Sequence, residues 1–393
     1  GDPQMRILLI ALVFCCAALA CGCVSTALPP VTDAGFTGLE NDEAGLWKKA
    51  EEQEKLLAES GFVYDDKALE EYVNSVAKKL VPESVLKVIP FKIRILKDPH
   101  LNAFALPNGA VYIHTGLLAA MTNEAQLAGL LGHEMTHATK RHEIRRFRST
   151  INKSAALGAL VVATGGVGAV LAPVAVASAA GYSRDLEREA DQEGFAVMER
   201  AGYSTDEVVT LFEQLKREIE EEKIEEPFFF STHPRVVERI ESYRELIAAQ
   251  KGKQQPRIKN GEIFLVHVKK VVLENARLDI QNGRYKWAEG GLKRYIERYP
   301  GEAAAYFLLG EANRQQGGAE HEKLAAENYD KALTFDKAHA ASHKMLGIMA
   351  YKAGDKTSAK EHLEKYLILD PAASDRSYIE GYIRACRAGV GTN

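Results

Sequence analysis

Apolar residues recur at helical spacing along most of the chain, with charged residues between them. The pattern predicts two amphipathic helices in residues 43–80 and further helices in residues 123–148, 183–201 and 204–226. Residues 91–96 (FKIRIL) instead alternate apolar and basic side chains, which is the period of a strand. Residues 102–114 hold two short apolar runs around Pro107-Asn108-Gly109, and Asn-Gly favours a hairpin turn. The first half of the chain is therefore expected to be mainly α (α+β), with a small β-sheet.

The last third of the chain contains an internal repeat. Five residues recur 71 positions further on: Gly283, Ala288, Leu292, Tyr295 and Pro300 reappear as Gly354, Ala359, Leu363, Tyr366 and Pro371. Half of this offset is close to the period of about 34 residues of the tetratricopeptide repeat, and a middle unit around Gly310 fills the gap. Such helix pairs stack into an α-solenoid. We predict a tetratricopeptide domain over residues 269–390 after a polar linker at 251–268.

The start of the chain has the pattern of a targeting segment. An apolar run from Ile7 to Ala20 follows Met5-Arg6, which is typical of a secretory signal and short for a membrane span. Small residues flank Cys21 and Cys23, as at a bacterial lipoprotein cleavage site; the alternative is a plain signal peptide with incidental cysteines. We therefore expect residues 5–23 to be a signal peptide or lipoprotein signal of an exported protein.

Composition narrows the class of protein. With 393 residues, 46% hydrophobic and 26% charged, the chain is expected to be globular and to hold more than one domain. A net charge of −4 argues against nucleic-acid binding, which usually needs a basic face. Four of the five cysteines lie in the first 23 residues, so no cysteine cluster is placed to hold a structural zinc ion.

The sequence LGHEMTHATKRH at residues 131–142 carries candidate metal chemistry. His133 and His137 are four residues apart, so on a helix they project from nearly the same face. Two neutral imidazoles suit Zn²⁺, and Glu134 between them can take a proton from a zinc-bound water. His142 lies five residues past His137, about 140° around a continuous helix. We therefore expect His142 to be a surface histidine and not the third ligand.

A carboxylate from a second helix is the better candidate for the third ligand. Residues 183–191 (SRDLEREAD) offer two pairs of acidic residues, each one helical turn apart: Glu187 with Asp191, and Asp185 with Glu189. Spacing alone does not choose between the two pairs. Ala190 and Gly194 are small enough to let this helix pack closely on the histidine helix.

Taken together, these motifs resemble a known family. His-Glu-x-x-His followed by Ser-Arg-x-x-Glu-x-x-Ala-Asp is similar to the HtpX and CaaX-prenyl-protease type of zinc metallopeptidase (metallopeptidase family 48), in particular to its exported bacterial branch with C-terminal tetratricopeptide repeats. The stretches Asp98–Ala105 and Thr232-His233-Pro234, with Arg239-Ile240, extend the resemblance over most of residues 45–245.

The resemblance implies a gluzincin-type peptidase domain at residues 40–250 with one Zn²⁺ per chain. By position, the ligands would be His133, His137 and Glu187, and the general base Glu134. Asp191 matches the family's second functional acid, which would donate a proton or orient a ligand histidine.

These ligands also bear on residues 155–182, which carry no charge. A single membrane crossing by this stretch would separate His137 from Glu187, and 28 residues are too few for two crossings. We therefore expect that the stretch does not span a membrane.

The function implied is that of a zinc endopeptidase of the bacterial cell envelope, in the periplasm and tethered to the outer membrane by a lipid anchor. It would hydrolyse misfolded or unassembled envelope proteins through a Glu-activated zinc-bound water, and bind envelope assembly proteins through its repeats. The alternative is a chaperone or adaptor with little or no proteolysis. Asn102 would bind the substrate backbone or stabilise a turn. His233 would begin a helix or occupy the open zinc position and keep the enzyme latent.

Overall fold

The computed structural model describes residues 25–163, 181–222, 236–250 and 257–388. The predicted signal at residues 5–23, most of the uncharged stretch at residues 155–182 and His233 lie outside the described residues. None of the helices in the described part of the chain is both long and apolar enough to cross a membrane.

The described residues form mostly helices, together with three short strands between residues 92 and 114. The strands are β1 (Lys92–Leu96), β2 (Ala103–Ala105) and β3 (Ala110–His114). The helices up to residue 249 are α1 (Asn41–Glu59), α2 (Lys67–Leu80), α3 (Glu83–Leu86), α4 (Thr115–Ala120), α5 (Glu124–Thr139), α6 (His142–Ala163), α7 (Arg184–Arg200), α8 (Asp206–Glu222) and α9 (Val236–Ala249). The remaining helices are α10 (Gly261–Gln281), α11 (Tyr285–Arg298), α12 (Ala303–Gln316), α13 (Ala319–Phe335), α14 (Ala340–Lys352), α15 (Lys356–Leu369) and α16 (Arg376–Ala388).

These elements divide into two compact units. The N-terminal unit comprises Gly1–Leu96, Leu101–Ile113 and Asn123–Ile263. The C-terminal unit comprises Lys97–His100, His114–Thr122 and Phe264–Asn393. Helix α10 begins at Gly261, so residues 261–268, which the sequence assigned to the linker, are helical.

The predicted hairpin is present in the sheet of strand order β1-β3-β2. Strands β2 and β3 pair antiparallel, with Phe104 opposite Tyr112 and their rings stacked 5.3 Å apart. The turn places Gly109 at φ +88°, a left-handed conformation that a residue without a Cβ adopts at little cost. Because β3 is central, β2 lies at an edge of the sheet.

Helix α5 is the centre of the N-terminal unit, because every one of its residues is buried. Asn123 caps it by accepting a hydrogen bond from the backbone N–H of Gln126 (3.0 Å).

The sequence predicted one helix over residues 123–148, and this is wrong. Helix α5 ends at Thr139, and α6 begins at His142 after Arg141, whose φ is +58°. The left-handed residue turns the chain, so positions on either side do not share one helical wheel.

In the series α10–α16, pairs of neighbouring helices pack against each other, and their buried positions repeat. Tyr295, Tyr329 and Tyr366 are each almost fully buried. Glycines provide the close approaches within a pair: a Cβ on Gly310 would lie 2.5 Å from the Tyr329 ring, and one on Gly347 would lie 2.7 Å from Leu363. The small and aromatic residues that recur in the sequence therefore pack the solenoid, which confirms the predicted repeat class.

Candidate metal centre

The two helices that supply the candidate ligands cross at a pair of glycines. A Cβ on Gly194 of α7 would lie 3.0 Å from the backbone nitrogen of His133, and one on Gly132 of α5 would lie 3.1 Å from the carbonyl oxygen of Gly194. Ala190 is fully buried one turn away. The small residues noted in the sequence thus allow the backbones to meet at the site, so that side chains of α7 reach those of α5.

Three buried side chains point their ligand atoms at one another. The Nε2 atoms of His133 and His137 are 3.1 Å apart, and each lies 3.5 Å from a carboxylate oxygen of Glu187. Among the described residues, these three form the only group of at least three histidine, cysteine or acidic side chains with a metal-site spacing. Of the two acidic pairs that spacing left open, the structure brings Glu187 with Asp191 to the histidines.

The spacing fits a tetrahedral zinc ion. Zinc lies about 2.0–2.1 Å from an imidazole nitrogen, so the edge of its coordination tetrahedron is about 3.3 Å. The separations of 3.1 Å and 3.5 Å bracket this value. Two imidazoles with one carboxylate are also a ligand set that catalytic zinc uses, with the fourth position left for water or substrate. The residues present therefore fit Zn²⁺.

His133 is fixed from behind by a buried ion pair. Its Nδ1 donates to Asp191 (2.9 Å), and the Arg239 guanidinium donates to both carboxylate oxygens of Asp191 (2.7–3.1 Å). Burial and the Arg239 charge act to lower the pKa of His133, but its hydrogen bonds to Asp191 and Glu187 outweigh them and raise it to about 9. A cation that binds His133 must displace this proton, because metal ligands are deprotonated.

His142 is not the surface histidine that the helical wheel predicted. It is fully buried, and its Nδ1 lies 2.9 Å from Nδ1 of His137. The turn at Arg141 redirects the chain, so the 140° rotation along a continuous helix does not apply. Burial is the largest contribution that lowers the pKa of His142 to about 4, so the ring is neutral at pH 7. His142 nevertheless lies outside the three-ligand group.

The remaining residues predicted for the site lie outside the three-ligand group. Glu134 is buried next to His133 on α5. Asn102 is also buried, just before the edge strand β2, and its Oδ1 has no hydrogen-bond partner among the described residues. Asp185, from the open alternatives, is 92% exposed and pairs with Arg188. His233 lies outside the described residues, so its proposed role at the zinc position stays a prediction.

Sequence reasoning missed one aromatic residue at this site. The ring of Tyr182 stacks on that of His137, with centroids 3.9 Å apart and planes at 14°. Its hydroxyl donates to Glu143 (3.2 Å), and the Arg146 guanidinium lies over its ring. Burial, followed by the charge of Glu143, raises the pKa of Tyr182 well above its usual value. The only signal in the sequence was its position directly before Ser183, whose side chain caps α7 by accepting a hydrogen bond from the backbone N–H of Leu186.

Comparisons with known proteins agree with this geometry. The model of peptidase family M48 matches residues 67–247. A putative beta-barrel assembly-enhancing protease of Vibrio cholerae is 30% identical over 216 residues, which cover 52% of this chain and 43% of that protein. Metalloprotease YcaL of Escherichia coli is 32% identical over 168 residues, which cover 41% of this chain and 64% of that protein. The matches thus span about half of the length of these relatives.

A crystal structure of MamA has 19% sequence identity and a TM-score of 0.28, over 39% of this chain and 77% of that one. A likeness of this degree carries no conclusion. The family match, in contrast, includes His133, Glu134, His137, Glu187, Asp191 and Arg239. The candidate ligands and the residues that hold them therefore lie within the part of the chain that is similar to peptidase family M48.

Proposed function

We propose that this chain is a zinc-dependent endopeptidase. The observation that carries the proposal is the tetrahedral spacing of His133, His137 and Glu187, with Glu134 directly beside the first ligand. Zinc bound there would act as a Lewis acid and would lower the pKa of a water molecule toward 7.

The side chains around the ligands have distinct roles in this proposal. Glu134 accepts the proton of the attacking water and passes it to the leaving amine. Asp191 orients His133: it is buried, and both its oxygens are engaged by Arg239 and His133. These contacts favour the orienting role over that of proton donor, because a carboxylate with both oxygens occupied is poorly placed to reach a substrate.

An extended peptide is the substrate that suits the sheet. Strand β2 lies at an edge, where a peptide can add as a further strand through backbone hydrogen bonds. Asn102 directly precedes this strand and would supply its amide to the peptide backbone. The relative's name, beta-barrel assembly-enhancing protease, supports misfolded or unassembled envelope proteins as the substrate class.

We further propose that the chain works in the periplasm, close to the outer membrane, and that its repeats bind envelope assembly proteins. The solenoid of α10–α16 supports a binding role, because stacked helix pairs present extended surfaces to protein partners. The domain limits of residues 40–250 and 269–390 are part of this proposal.

Cleavage of unfolded casein by the purified chain with and without zinc tests the proposed activity. We expect wild-type protein to cleave, a chelator to stop cleavage and added zinc to restore it. Glu134→Gln should reduce the rate by at least about 100-fold while zinc binding is retained, because it removes the general base and no ligand.

A chaperone or adaptor would give a different result. Wild-type protein and Glu134→Gln would then suppress aggregation of an unfolded client equally well, and neither would cleave it. That outcome would overturn the proposed peptidase activity.

A further inference from the structure

His142 is brought to the metal centre by an unusual backbone turn. Arg141 adopts a left-handed conformation (φ +58°) between α5 and α6. Its guanidinium is buried and forms two hydrogen bonds with the carboxylate of Glu43 on α1, and a third with the carbonyl oxygen of Pro29 (3.2 Å). A non-glycine residue holds such a conformation only where its surroundings fix it. The turn therefore has a defined cause in the tertiary structure.

The turn directs the His142 ring into a chain of hydrogen bonds. Its Nδ1 lies 2.9 Å from Nδ1 of His137, and its Nε2 lies 3.2 Å from Oε2 of Glu189. Glu189 is itself held by Arg145 (2.7 Å) and Lys140 (3.7 Å). Both ring nitrogens of this fully buried histidine are thus engaged.

The chemistry of these groups determines which atom donates and which accepts in each of these hydrogen bonds. A carboxylate held by two cations accepts hydrogen bonds, so Nε2 of His142 carries the proton that it donates to Glu189. A neutral imidazole has one donor and one acceptor nitrogen, which leaves Nδ1 of His142 as an acceptor. Nδ1 of His137 must then carry a proton and donate it. The lone pair of His137 consequently lies on Nε2, the atom that faces His133 and Glu187.

We propose that His142, oriented by Glu189, is a positioning residue that fixes the tautomer and ring orientation of the metal ligand His137. The inference rests on the proposed zinc centre and deepens it. In this arrangement each ligand imidazole has its own acceptor: Asp191 for His133 and His142 for His137. Helix α7 supplies three carboxylates to this arrangement. Glu187 binds the metal, Asp191 accepts the hydrogen bond of His133, and Glu189 accepts that of His142.

Metal affinity of the full chain, measured by competition between the protein and a chelator for Zn²⁺, tests this role. We expect His142→Leu to weaken zinc binding by about 10–100-fold, which is the usual effect of removing such a partner. His142→Asn should restore most of the affinity, because its side-chain oxygen can accept the hydrogen bond of His137. Glu189→Gln should weaken binding as well, because an amide can donate to His142 and favour the wrong tautomer.

Glu193→Gln is the matched control. Glu193 lies one turn after Glu189 on α7 and pairs with the same Lys140 (2.7 Å), but it does not belong to the His142 chain of hydrogen bonds. Its substitution should leave the zinc affinity unchanged. Thermal denaturation of each chelator-treated variant measures folding separately from metal binding.

The absorption spectrum of the Co²⁺-loaded protein adds a readout that loss of packing alone would not change in the same way. The visible bands of Co²⁺ report coordination geometry, so they should shift in His142→Leu and return toward wild type in His142→Asn. Folded His142→Leu protein with wild-type zinc affinity and an unchanged Co²⁺ spectrum would overturn the role of His142. If wild-type protein itself bound no zinc, the proposed metal centre would fall, and this inference with it.

Discussion

Arg239 is the residue on which the buried charge of Asp191 depends. Its guanidinium forms three hydrogen bonds with that carboxylate and also lies over the ring of Phe212, with its carbon 4.7 Å from the ring centroid. Asp191 is 2% exposed, so water cannot replace these donors. Because Asp191 orients His133, the same guanidinium links the stability of the fold to the geometry of the site.

Arg239→Met should therefore lower the free energy of unfolding by about 3–5 kcal/mol, the cost of leaving a buried charge without its partner. Urea denaturation of the metal-free protein measures this change. Arg244→Met is the control: it lies on the same helix but pairs with Glu213 at the surface, and its loss should cost at most about 1 kcal/mol. Equal changes in the free energy of unfolding for the two substitutions would show that the ion pair of Arg239 with Asp191 does not contribute this stability.

At the level of elements, the crossing of α5 and α7 sets the distance between the ligands. Gly194 packs against the backbone of His133, whereas Gly291 on α11 has no atom within 4 Å of where its Cβ would be. Both glycines lie inside helices, so replacement by alanine has the same intrinsic benefit of about 0.5–1 kcal/mol at each. The two positions differ only in the space around them.

Gly194→Ala is expected to destabilise the protein by about 1–3 kcal/mol through overpacking, and to weaken zinc binding because α7 must move away from α5. Gly291→Ala should be neutral or stabilising. Thermal denaturation and chelator competition on the two variants give the comparison. A stable Gly194→Ala protein with full zinc affinity would mean that the helices can separate without cost to the site.

The same elements show what the sequence can predict and what it cannot. Local spacing predicted the strand near Lys92–Leu96, the hairpin turn at Gly109 and the helix of Glu187, because short-range contacts determine all three. It failed at Arg141, because the left-handed turn depends on Glu43, which lies 98 residues away in the chain. The burial of His142 follows from that turn, so a helical wheel could not reveal it. The resemblance singled out Glu187 where spacing left two pairs open.

At the scale of the whole molecule, Glu124 forms hydrogen bonds with residues of the N-terminal unit that lie far apart in the sequence. Its buried carboxylate accepts hydrogen bonds from Tyr72 (2.7 Å), Tyr203 (2.5 Å), Lys79 (3.0 Å) and Asn260 (3.1 Å). Burial acts to raise the pKa of Glu124, but these donors outweigh it and lower the pKa below the ordinary value of 4.5. The ionised carboxylate is therefore the form that the fold stabilises.

A carboxylate with a lowered pKa in the folded state contributes stability above its unfolded-state pKa and loses it as the pH falls. The free energy of unfolding of the wild-type chain should thus decrease from about pH 4.5 downward. Glu124→Gln should be less stable at pH 7 and should show a weaker dependence in the acidic range, as measured by urea denaturation at several pH values. Glu83→Gln, which removes an exposed carboxylate, should keep the wild-type dependence. Parallel curves for all three proteins would contradict the role assigned to Glu124.

Glu187 lies 50 residues after His137 in the chain, and this separation affects the conformational entropy of the unfolded protein. A cation held by both residues would act as a cross-link that closes this long loop, as a disulfide does. Closing a loop of this size removes conformational entropy from the unfolded chain worth about 4 kcal/mol. The metal would then link α5 to α7, and its removal would lower the stability of the N-terminal unit as well as abolish the proposed activity.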